Sequence, residues 1–232
     1  MNNYNYIFFD LDGTITQSEF GIIKSVRYAL NKMGINVDKE SDKDLLKFIG
    51  PPIYNSFCDF YGMSDEDSLN AVKYYRAHYE EYGIFDAPLY NGIDKLIADL
   101  HKCGKKLFVV TSKPAVIAER IIEHFDLTDK FAAVIGPDKS EKSPDKKELI
   151  IRAIKHGNIK TLSQVIMIGD RKYDIEGAKG AKVDSIGVLY GYGSREELME
   201  AGATYLVEKP EDIRNILNNP SYIHKETERN LK

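Results

Sequence analysis

Two aspartates lie one residue apart, directly after the first apolar run of the chain. Asp10 and Asp12 follow the run Tyr6–Phe9, and Gly13 and Thr14 come next. A carboxylate can attack phosphorus to give an aspartyl phosphate, which divides one difficult displacement into two easier ones. We therefore expect Asp10 to act as a nucleophile toward a phosphate ester.

A second acid beside such a nucleophile can transfer protons. The side chain of Asp12 projects on the same side as that of Asp10 if the chain stays extended. A neighbouring like charge and buried surroundings raise the pKa of a carboxyl group, which keeps it protonated at the start of a reaction. We expect Asp12 to protonate the leaving oxygen and later to deprotonate the attacking water.

Polar residues also follow two later apolar runs. Thr111 and Ser112 follow residues 106–110, and Asp170 lies just after residues 165–168. In sheets of parallel strands, ligands bind at the carboxyl ends of the strands. We therefore expect these side chains to converge with the two aspartates.

This set of oxygen atoms predicts a Mg²⁺ site. Mg²⁺ is a hard ion that prefers a few carboxylates together with carbonyl, water and phosphate oxygens. The side chains of Asp10 and Asp170 and the carbonyl of Asp12 would form part of such a shell. Asp174, one helical turn beyond Asp170, could hold either the water molecules of the metal or a lysine.

Donors for a phosphate group occur in the same places. Backbone N–H groups of Gly13 and Thr14 can form an anion-binding nest, and Thr111 and Ser112 can add hydroxyl or amide donors. Lys146 opens a predicted helix and could neutralise charge on the phosphorus. Two other lysines of the same stretch remain alternatives, chiefly Lys142 and then Lys147.

Short apolar runs alternate with amphipathic stretches along most of the chain. The runs are apolar on both faces, which is typical of a parallel sheet covered by helices on both sides, a doubly wound α/β fold. The predicted strands are residues 6–9, 106–110, 132–135, 165–168, 184–188 and 204–207. The predicted helices are residues 92–103, 114–125, 145–157, 172–180, 194–201 and 210–217.

One stretch lacks the strand pattern. Between about residues 17 and 83 the apolar residues recur at helical spacing, which indicates an inserted α-helical module. We expect its aromatic side chains to form a helical core. The predicted organisation is a core domain of residues 1–15 and 87–217, a helical domain of residues 16–86, and a polar tail of residues 218–232.

Composition and charge limit the function. The chain has 232 residues, of which 43% are hydrophobic and 29% charged, and a net charge of −4. These values are those of an ordinary soluble globular protein, and scattered basic residues give no footprint for nucleic acid or an anionic membrane. The two cysteines, far apart and outside any C-x-x-C pattern, indicate a reducing compartment. We expect a cytoplasmic protein.

These motifs together resemble the haloacid dehalogenase superfamily, in particular its phosphoglycolate phosphatase-like branch. The resemblance rests on DLDGT at residues 10–14, the strand-terminal Thr111, a downstream lysine, and GDRKYD at residues 169–174, and it extends to about residue 217. It implies a Rossmann-like core with an inserted cap. It also implies a role for each site residue: Asp10 would be the nucleophile, Asp12 the acid/base, Thr111 the phosphate ligand and Lys146 the charge neutraliser. The implied Mg²⁺ ligands are Asp10, Asp12 and Asp170.

The resemblance also guides the choice of reaction. Asp12 argues against dehalogenation, because dehalogenating relatives lack the second acid. The helical stretch lacks the early Thr-x-x-His of phosphomutase relatives, which favours hydrolysis. The loop at residues 48–57, which contains Pro51, resembles the specificity loop of the cap, and Arg76 could reach a carboxylate or a second anion.

The predicted substrate is a small phosphorylated metabolite, with phosphoglycolate and a nucleoside 5′-monophosphate as candidates. A phosphomutase and a phosphate-binding regulatory module without useful turnover remain the alternatives. We expect a monomer or a weak homodimer that binds neither nucleic acid nor membranes.

Overall fold

The described residues form one parallel sheet with helices on both faces. The computed structural model describes residues 4–37, 40–138 and 145–218. All strand pairs of the six-stranded sheet are parallel, which confirms the doubly wound α/β prediction. The strands are β1 (Tyr6–Phe9), β2 (Lys106–Val110), β3 (Phe131–Ile135), β4 (Val165–Gly169), β5 (Asp184–Val188) and β6 (Tyr205–Val207).

The strand order places two predicted functional strands side by side. It reads β3-β2-β1-β4-β5-β6, so the chain runs outward from β1 to β3 and then returns to the other side of β1. Phe9 at the end of β1 pairs with Ile168 near the end of β4. A doubly wound sheet has a crevice at the carboxyl ends of the strands where the order reverses. The residues just after β1 and β4 therefore lie at this crevice.

The central strand has no exposed face. Phe9 belongs to the larger apolar core on one side of the sheet, and Phe8 belongs to a second core on the other side. Successive side chains of a strand point to opposite faces, so a continuous apolar run is required where both faces are covered. This accounts for the uninterrupted apolar sequence that precedes Asp10.

The helices of the sheet region agree with the predicted ones to within one residue at each end. Several begin at the residue types that favour a helix start, as where the Asp145 side chain accepts the N–H of Glu148. These helices are α5 (Ile93–Lys102), α6 (Ala115–His124), α7 (Lys146–His156), α8 (Lys172–Ala181), α9 (Arg195–Ala201) and α10 (Pro210–Asn218).

The stretch from residue 19 to residue 83, here called the helical segment, contains no strand in its described part. Its α-helices are α1 (Glu19–Lys32), α2 (Asp42–Leu45), α3 (Ile53–Tyr61) and α4 (Asp65–His78), followed by a π-helical turn at Tyr79–Gly83. The loop predicted at residues 48–57 is only partly a loop. Helix α3 begins directly after Pro52, a residue compatible with a helix start.

The two connections between the helical segment and the sheet run next to each other. Gln17 donates its backbone N–H to the carbonyl of Pro88 at 2.7 Å, and Thr16 forms an isolated antiparallel bridge with Leu89. This pairing agrees with predicted boundaries near residues 16 and 86. The division into two domains stays a prediction.

Some predictions lie outside the described residues. These are the tail beyond residue 218 and the alternative lysine, Lys142. Within the described ranges, every helix is too short or too polar to cross a lipid bilayer.

Candidate active site

Asp10 lies at the centre of the sheet edge. It is the first residue after β1, and its N–H donates to the carbonyl of Ile168 in β4 at 2.8 Å. This hydrogen bond continues the ladder between the two strands by one residue and fixes the backbone of Asp10 beside the end of β4. The side chain of Asp10 is buried.

Three buried carboxylates converge there. Asp10, Asp170 and Asp174 each offer an oxygen atom within 4.8 Å of those of the other two. Asp170 and Asp174 are as buried as Asp10. The prediction that Asp10 and Asp170 approach each other from the ends of β1 and β4 agrees with this geometry. Buried carboxylates persist only when they are paired, protonated or bound to a metal.

Lys146 is the cation that contacts two of these acids. Its Nζ lies 2.9 Å from Asp10 Oδ1 and 2.8 Å from Asp174 Oδ1, and it donates to the carbonyl of Val110 at 3.1 Å. The two carboxylate contacts are ion pairs, and the carbonyl of Val110 accepts a hydrogen bond from the same ammonium. Lys147, one residue later, is exposed. The structure therefore brings Lys146, and not Lys147, to the cluster.

Asp174 contacts the lysine, which is one of its two predicted roles. Its second oxygen, Oδ2, accepts the backbone N–H of Arg171 at 3.2 Å and so helps to begin α8. A Cβ on Gly169 would lie 2.2 Å from the Asp174 carboxyl carbon. Only glycine fits at the end of β4 with Asp174 in this position.

Burial and mutual repulsion shift the protonation of the cluster. Burial, together with the charges of Asp174 and Asp12, raises the pKa of Asp10 to about 7 against the lowering effect of Lys146. Burial and the charges of Asp174 and Asp10 raise the pKa of Asp170 well above its usual range. Burial lowers the pKa of Lys146, but the two neighbouring carboxylates outweigh it and the net shift is upward. The site thus has more negative charge than its single lysine balances.

The free oxygen of Asp170 fits a metal ion. Asp170 Oδ2 accepts the N–H of Tyr192 at 2.7 Å, whereas Oδ1 is buried and accepts no hydrogen bond from any described residue. A buried oxygen without a donor is costly unless a cation satisfies it. The donor set is all oxygen, as Mg²⁺ prefers. Asp10 and Asp170 therefore suit the predicted Mg²⁺ site.

Asp12 lies in surroundings that the sequence did not predict. Its Oδ1 is 2.9 Å from Nζ of Lys113, which also donates to the hydroxyl of Tyr79 at 2.6 Å. The ammonium lies 4.6 Å from the centre of the Tyr79 ring, within cation–π range. Asp12 therefore has a positively charged neighbour, Lys113, in addition to the nearby carboxylates. The contact also joins the sheet region to the helical segment.

The phosphate contact of Gly13 stays a prediction, and the structure shows what its backbone N–H contacts without a ligand. The N–H of Gly13 donates to the carbonyl of Thr16 at 2.8 Å, and that of Thr14 donates to Leu11 at 3.3 Å, so both groups are engaged within the turn. The structure gives a different reason for a glycine at position 13. Its φ is +80°, and a Cβ there would lie 2.3 Å from Oδ2 of Asp170. Glycine is needed because Asp170 packs directly against it.

Thr111 and Ser112 lie where they were predicted. Both line the same cavity as Asp10, and Thr111 is almost fully buried. Thr111 Oγ1 accepts the backbone N–H of Lys113 at 3.1 Å. Because the hydroxyl hydrogen is not used in that bond, Thr111 can still donate it to a phosphate oxygen.

A cavity of about 160 Å³ opens above these residues. Pro51 and Arg76 both line it, and their contact with a substrate stays a prediction. Most of its remaining wall comes from apolar and aromatic side chains, and the rings of Tyr75 and Tyr79 stack at 5.5 Å with 8° between their planes. The aromatic residues were expected to form a helical core. These two belong to the core and also border the cavity.

Sequence reasoning missed three residues of this site, namely Lys113, Tyr79 and Tyr192. Lys113 follows Thr111 by two residues, so its nearness to a strand end was a usable signal. Tyr79 lies in the helical segment and Tyr192 lies in the loop after β5, and no spacing rule connects either with Asp10.

The comparison with sequence families identifies the class of protein. The sequence model of the haloacid dehalogenase-like hydrolase family matches residues 7–188. The chain belongs to this family, and the resemblance carried by its motifs is confirmed.

Three relatives show the range of activities that similar chains carry. A 5′-nucleotidase of Pseudomonas aeruginosa is 35% identical over 93% of this chain and 96% of its own length. The tyrosine-protein kinase PtkA of Mycobacterium tuberculosis is 34% identical over 87% of this chain and 67% of its own length. A phosphoglycolate phosphatase of Aliivibrio fischeri is 30% identical over 84% of this chain and 88% of its own length.

Solved structures share the fold. The crystal structure of a predicted phosphatase from Clostridium acetobutylicum has a TM-score of 0.89 and 44% identity, and the match covers 93% of this chain and 99% of that one. The likeness extends over both the sheet and the helical segment.

Proposed function

We propose that this chain is a Mg²⁺-dependent phosphomonoesterase that forms an aspartyl phosphate on Asp10. The observation that carries the proposal is the buried cluster at the crevice, where Asp10, Asp170 and Asp174 converge and Lys146 pairs with Asp10 and Asp174. Such a cluster has more carboxylates than its lysine balances, and a divalent cation would compensate for the excess negative charge.

In the first step, an oxygen of Asp10 attacks phosphorus and the bond from phosphorus to the leaving oxygen breaks. Asp12 gives a proton to that oxygen. In the second step, a water molecule attacks the aspartyl phosphate, Asp12 takes its proton, and Asp10 is restored. Lys113 holds one oxygen of Asp12, so the other is available for proton transfer.

The other residues position and stabilise the phosphate. The hydroxyl of Thr111 donates to it, and the ammonium of Lys146 stabilises the charge that develops on its oxygens. Asp12 lines the cavity, and its N–H makes no hydrogen bond with a described residue, so we propose this N–H as a backbone donor to the phosphate. Mg²⁺, held by Asp10 and Asp170, supplies further charge stabilisation when it is bound.

The cavity wall favours a substrate with a flat apolar group. Ile22, Phe48 and Val72 contribute to the wall together with the stacked Tyr75 and Tyr79. The two-carbon acid of phosphoglycolate would leave most of this surface without a partner, whereas a nucleobase would cover it. We therefore favour a nucleoside 5′-monophosphate over phosphoglycolate.

Transfer to an acceptor other than water is the second candidate, because one relative is named a tyrosine-protein kinase. The apolar wall would also suit a tyrosine side chain. The phosphomutase alternative is less favoured because the helical segment lacks the early histidine found in phosphomutases of this superfamily.

The test measures phosphate release from nucleoside 5′-monophosphates, phosphoglycolate and phosphotyrosine, with Mg²⁺ and with EDTA. We expect Mg²⁺-dependent release, highest for a nucleotide, and no release by Asp10→Asn. Retained activity in Asp10→Asn would contradict the role of Asp10. A wild-type chain that binds phosphate but releases none from any ester would favour the regulatory module.

A further inference from the structure

The loop after β5 packs against Asp170 more closely than any side chain would allow. A Cβ on Gly191 would lie 2.3 Å from Cβ of Asp170, and a Cβ on Gly193 would lie 2.0 Å from its carbonyl oxygen. Both distances are below those of real contacts between a Cβ and another heavy atom. The two glycines therefore allow the backbone of the residue between them, Tyr192, to reach the Asp170 side chain.

The backbone of Tyr192 fixes one oxygen of Asp170. Its N–H donates to Oδ2 at 2.7 Å, and Oδ1 is left buried without a partner in the described structure. A hydrogen bond to one oxygen sets the rotation of the carboxylate plane, as outer hydrogen bonds do for metal ligands in general. Oδ1 is in this way left as the oxygen that a cation can bind.

The side chain of Tyr192 contacts the beginning of the helical segment. Its hydroxyl accepts the N–H of Glu19 at 3.1 Å and donates to the Glu19 carboxylate. The residue that precedes α1, Ser18, makes no side-chain capping bond. Tyr192 thus satisfies one of the free N–H groups at the start of α1 from 173 positions away.

A neighbouring residue strengthens the same connection. The hydroxyl of Tyr190 donates to the carbonyl of Thr14 at 3.1 Å, and its ring lies 4.8 Å from that of Tyr90. Thr14 and Tyr90 lie on the two connections to the helical segment. The loop therefore contacts Asp170 and both connections at once.

We propose that Tyr192 is a positioning residue that couples cation binding at Asp170 to the first turn of α1. The N–H of Tyr192 holds Asp170, and its hydroxyl holds Glu19. A cation bound to Oδ1 of Asp170 therefore stabilises the loop conformation in which Tyr192 also contacts the first turn of α1. By linkage, the contact between Tyr192 and Glu19 must then strengthen cation binding by the same factor. The inference rests on the Mg²⁺ site proposed above.

Tyr192→Phe tests it, since this change keeps the ring and the backbone donor and removes only the hydroxyl. Tyr82→Phe is the matched control, because Tyr82 is an exposed tyrosine of the helical segment. Affinity is measured without substrate, from Mn²⁺ binding by electron paramagnetic resonance and its competition by Mg²⁺. We expect Tyr192→Phe to weaken binding at least about threefold and Tyr82→Phe to leave it unchanged.

Two further measurements separate coupling from simple loss of stability. Amide exchange in residues 19–22 should slow when Mg²⁺ binds the wild-type chain and should not respond in Tyr192→Phe. In a double-mutant cycle, Glu19→Ala and Tyr192→Phe together should weaken binding no more than Tyr192→Phe alone. Alanine is a good helix former, so Glu19→Ala preserves α1.

The outcomes distinguish this inference from the proposed function. If the wild-type chain binds Mg²⁺ and Tyr192→Phe binds it equally well, the coupling is wrong and the metal site stands. If the wild-type chain binds neither Mn²⁺ nor Mg²⁺, the coupling and the proposed metal site are both wrong.

Discussion

At the scale of single residues, the site depends on a balance of buried charges. Three carboxylates and one ammonium meet near the ends of β1 and β4, and the ammonium forms ion pairs with two of the carboxylates. Removing one partner from such a cluster leaves the others buried without compensation. Variants of these residues should therefore affect both chemistry and stability, and controls must separate the two effects.

Lys146 should be the lysine on which turnover depends. Lys146→Met keeps the length of the side chain and removes the charge that would stabilise the phosphate in the transition state. We expect kcat to fall by about a hundredfold or more, the usual cost of losing one such donor. Lys147→Ala is the matched control, because Lys147 is exposed on the same helix. Equal losses in both variants, or a loss in Lys142→Ala alone, would contradict the assignment.

The metal-free protein should lose stability as the pH rises. The pKa of Asp10 is raised to about 7, so between about pH 4 and pH 7 the folded chain holds a proton that the unfolded chain has released. The free energy of unfolding then decreases with rising pH over this window. The raised pKa of Asp170 acts in the same direction.

Urea unfolding in EDTA at several pH values measures this effect. Asp10→Asn should show a smaller decrease than the wild-type chain, because the titrating group is absent. Asp59→Asn, at an exposed position of α3, should follow the wild-type chain. If Asp10→Asn loses as much stability between pH 4 and pH 7 as the wild-type chain, or more, the raised pKa of Asp10 is contradicted.

At the scale of elements, the sheet is predictable and the helical segment is less so. Strands β1 and β2 were predicted with the correct ends because uninterrupted apolar runs have one favourable position, the middle of a covered sheet. Helix α3 was partly assigned to a loop because residues 48–57 resemble the specificity loop of the cap. Pro52 instead precedes the helix, and local sequence alone does not distinguish these outcomes.

Within the site, too, some residues were predictable from the sequence and others were not. Asp10, Thr111 and Lys146 were predictable because each has a fixed relation to a strand end or a helix start. The loop that brings Tyr192 to Asp170 and the contact of Tyr79 with Lys113 depend on tertiary packing. No periodicity along the sequence encodes them.

The packing of α1 on the π-helical turn depends on a close glycine contact. A Cβ on Gly21 would lie 2.2 Å from the carbonyl oxygen of Gly83, which is a backbone atom that cannot move alone. Alanine normally stabilises a helix by about 1 kcal/mol over glycine. Gly21→Ala should instead destabilise the chain by about 1–3 kcal/mol, as overpacking does.

Thermal and urea unfolding of Gly21→Ala measure this cost. Asn31→Ala is the control, because it changes an exposed position of the same helix and should stay within about 0.5 kcal/mol of the wild-type chain. An increase in stability on Gly21→Ala would mean that the two elements do not approach this closely in solution.

At the scale of the whole molecule, the helical segment covers the crevice and contacts the sheet region through a shared apolar cluster and a few polar bonds. Lys113 contacts Tyr79, the guanidinium of Arg171 donates to the carbonyl of Ile49, and Tyr192 contacts Glu19. A few such bonds, next to two adjacent connections, are compatible with a hinge. We expect the segment to close over the bound phosphate, with hinges at residues 14–18 and 84–90, and to exclude bulk water from the aspartyl phosphate.

The two cysteines of the chain offer a direct test of closure. Cys58 lies in the helical segment and Cys103 follows α5 in the sheet region. Spin labels on both should report a changed distance distribution when Mg²⁺ and beryllium fluoride are added, and no change when Asp10→Asn is treated in the same way. An unchanged distribution in the wild-type chain would contradict hinge closure.

The central claim is that Asp10 and Asp170 share a cation and that Asp10 bonds to phosphorus. A crystal structure of the chain with Mg²⁺ and beryllium fluoride tests it most directly. We expect beryllium fluoride on an oxygen of Asp10, Mg²⁺ between Asp10 and Oδ1 of Asp170, and Nζ of Lys146 beside a fluoride. Beryllium fluoride on another residue, or Mg²⁺ away from Asp170, would contradict the account.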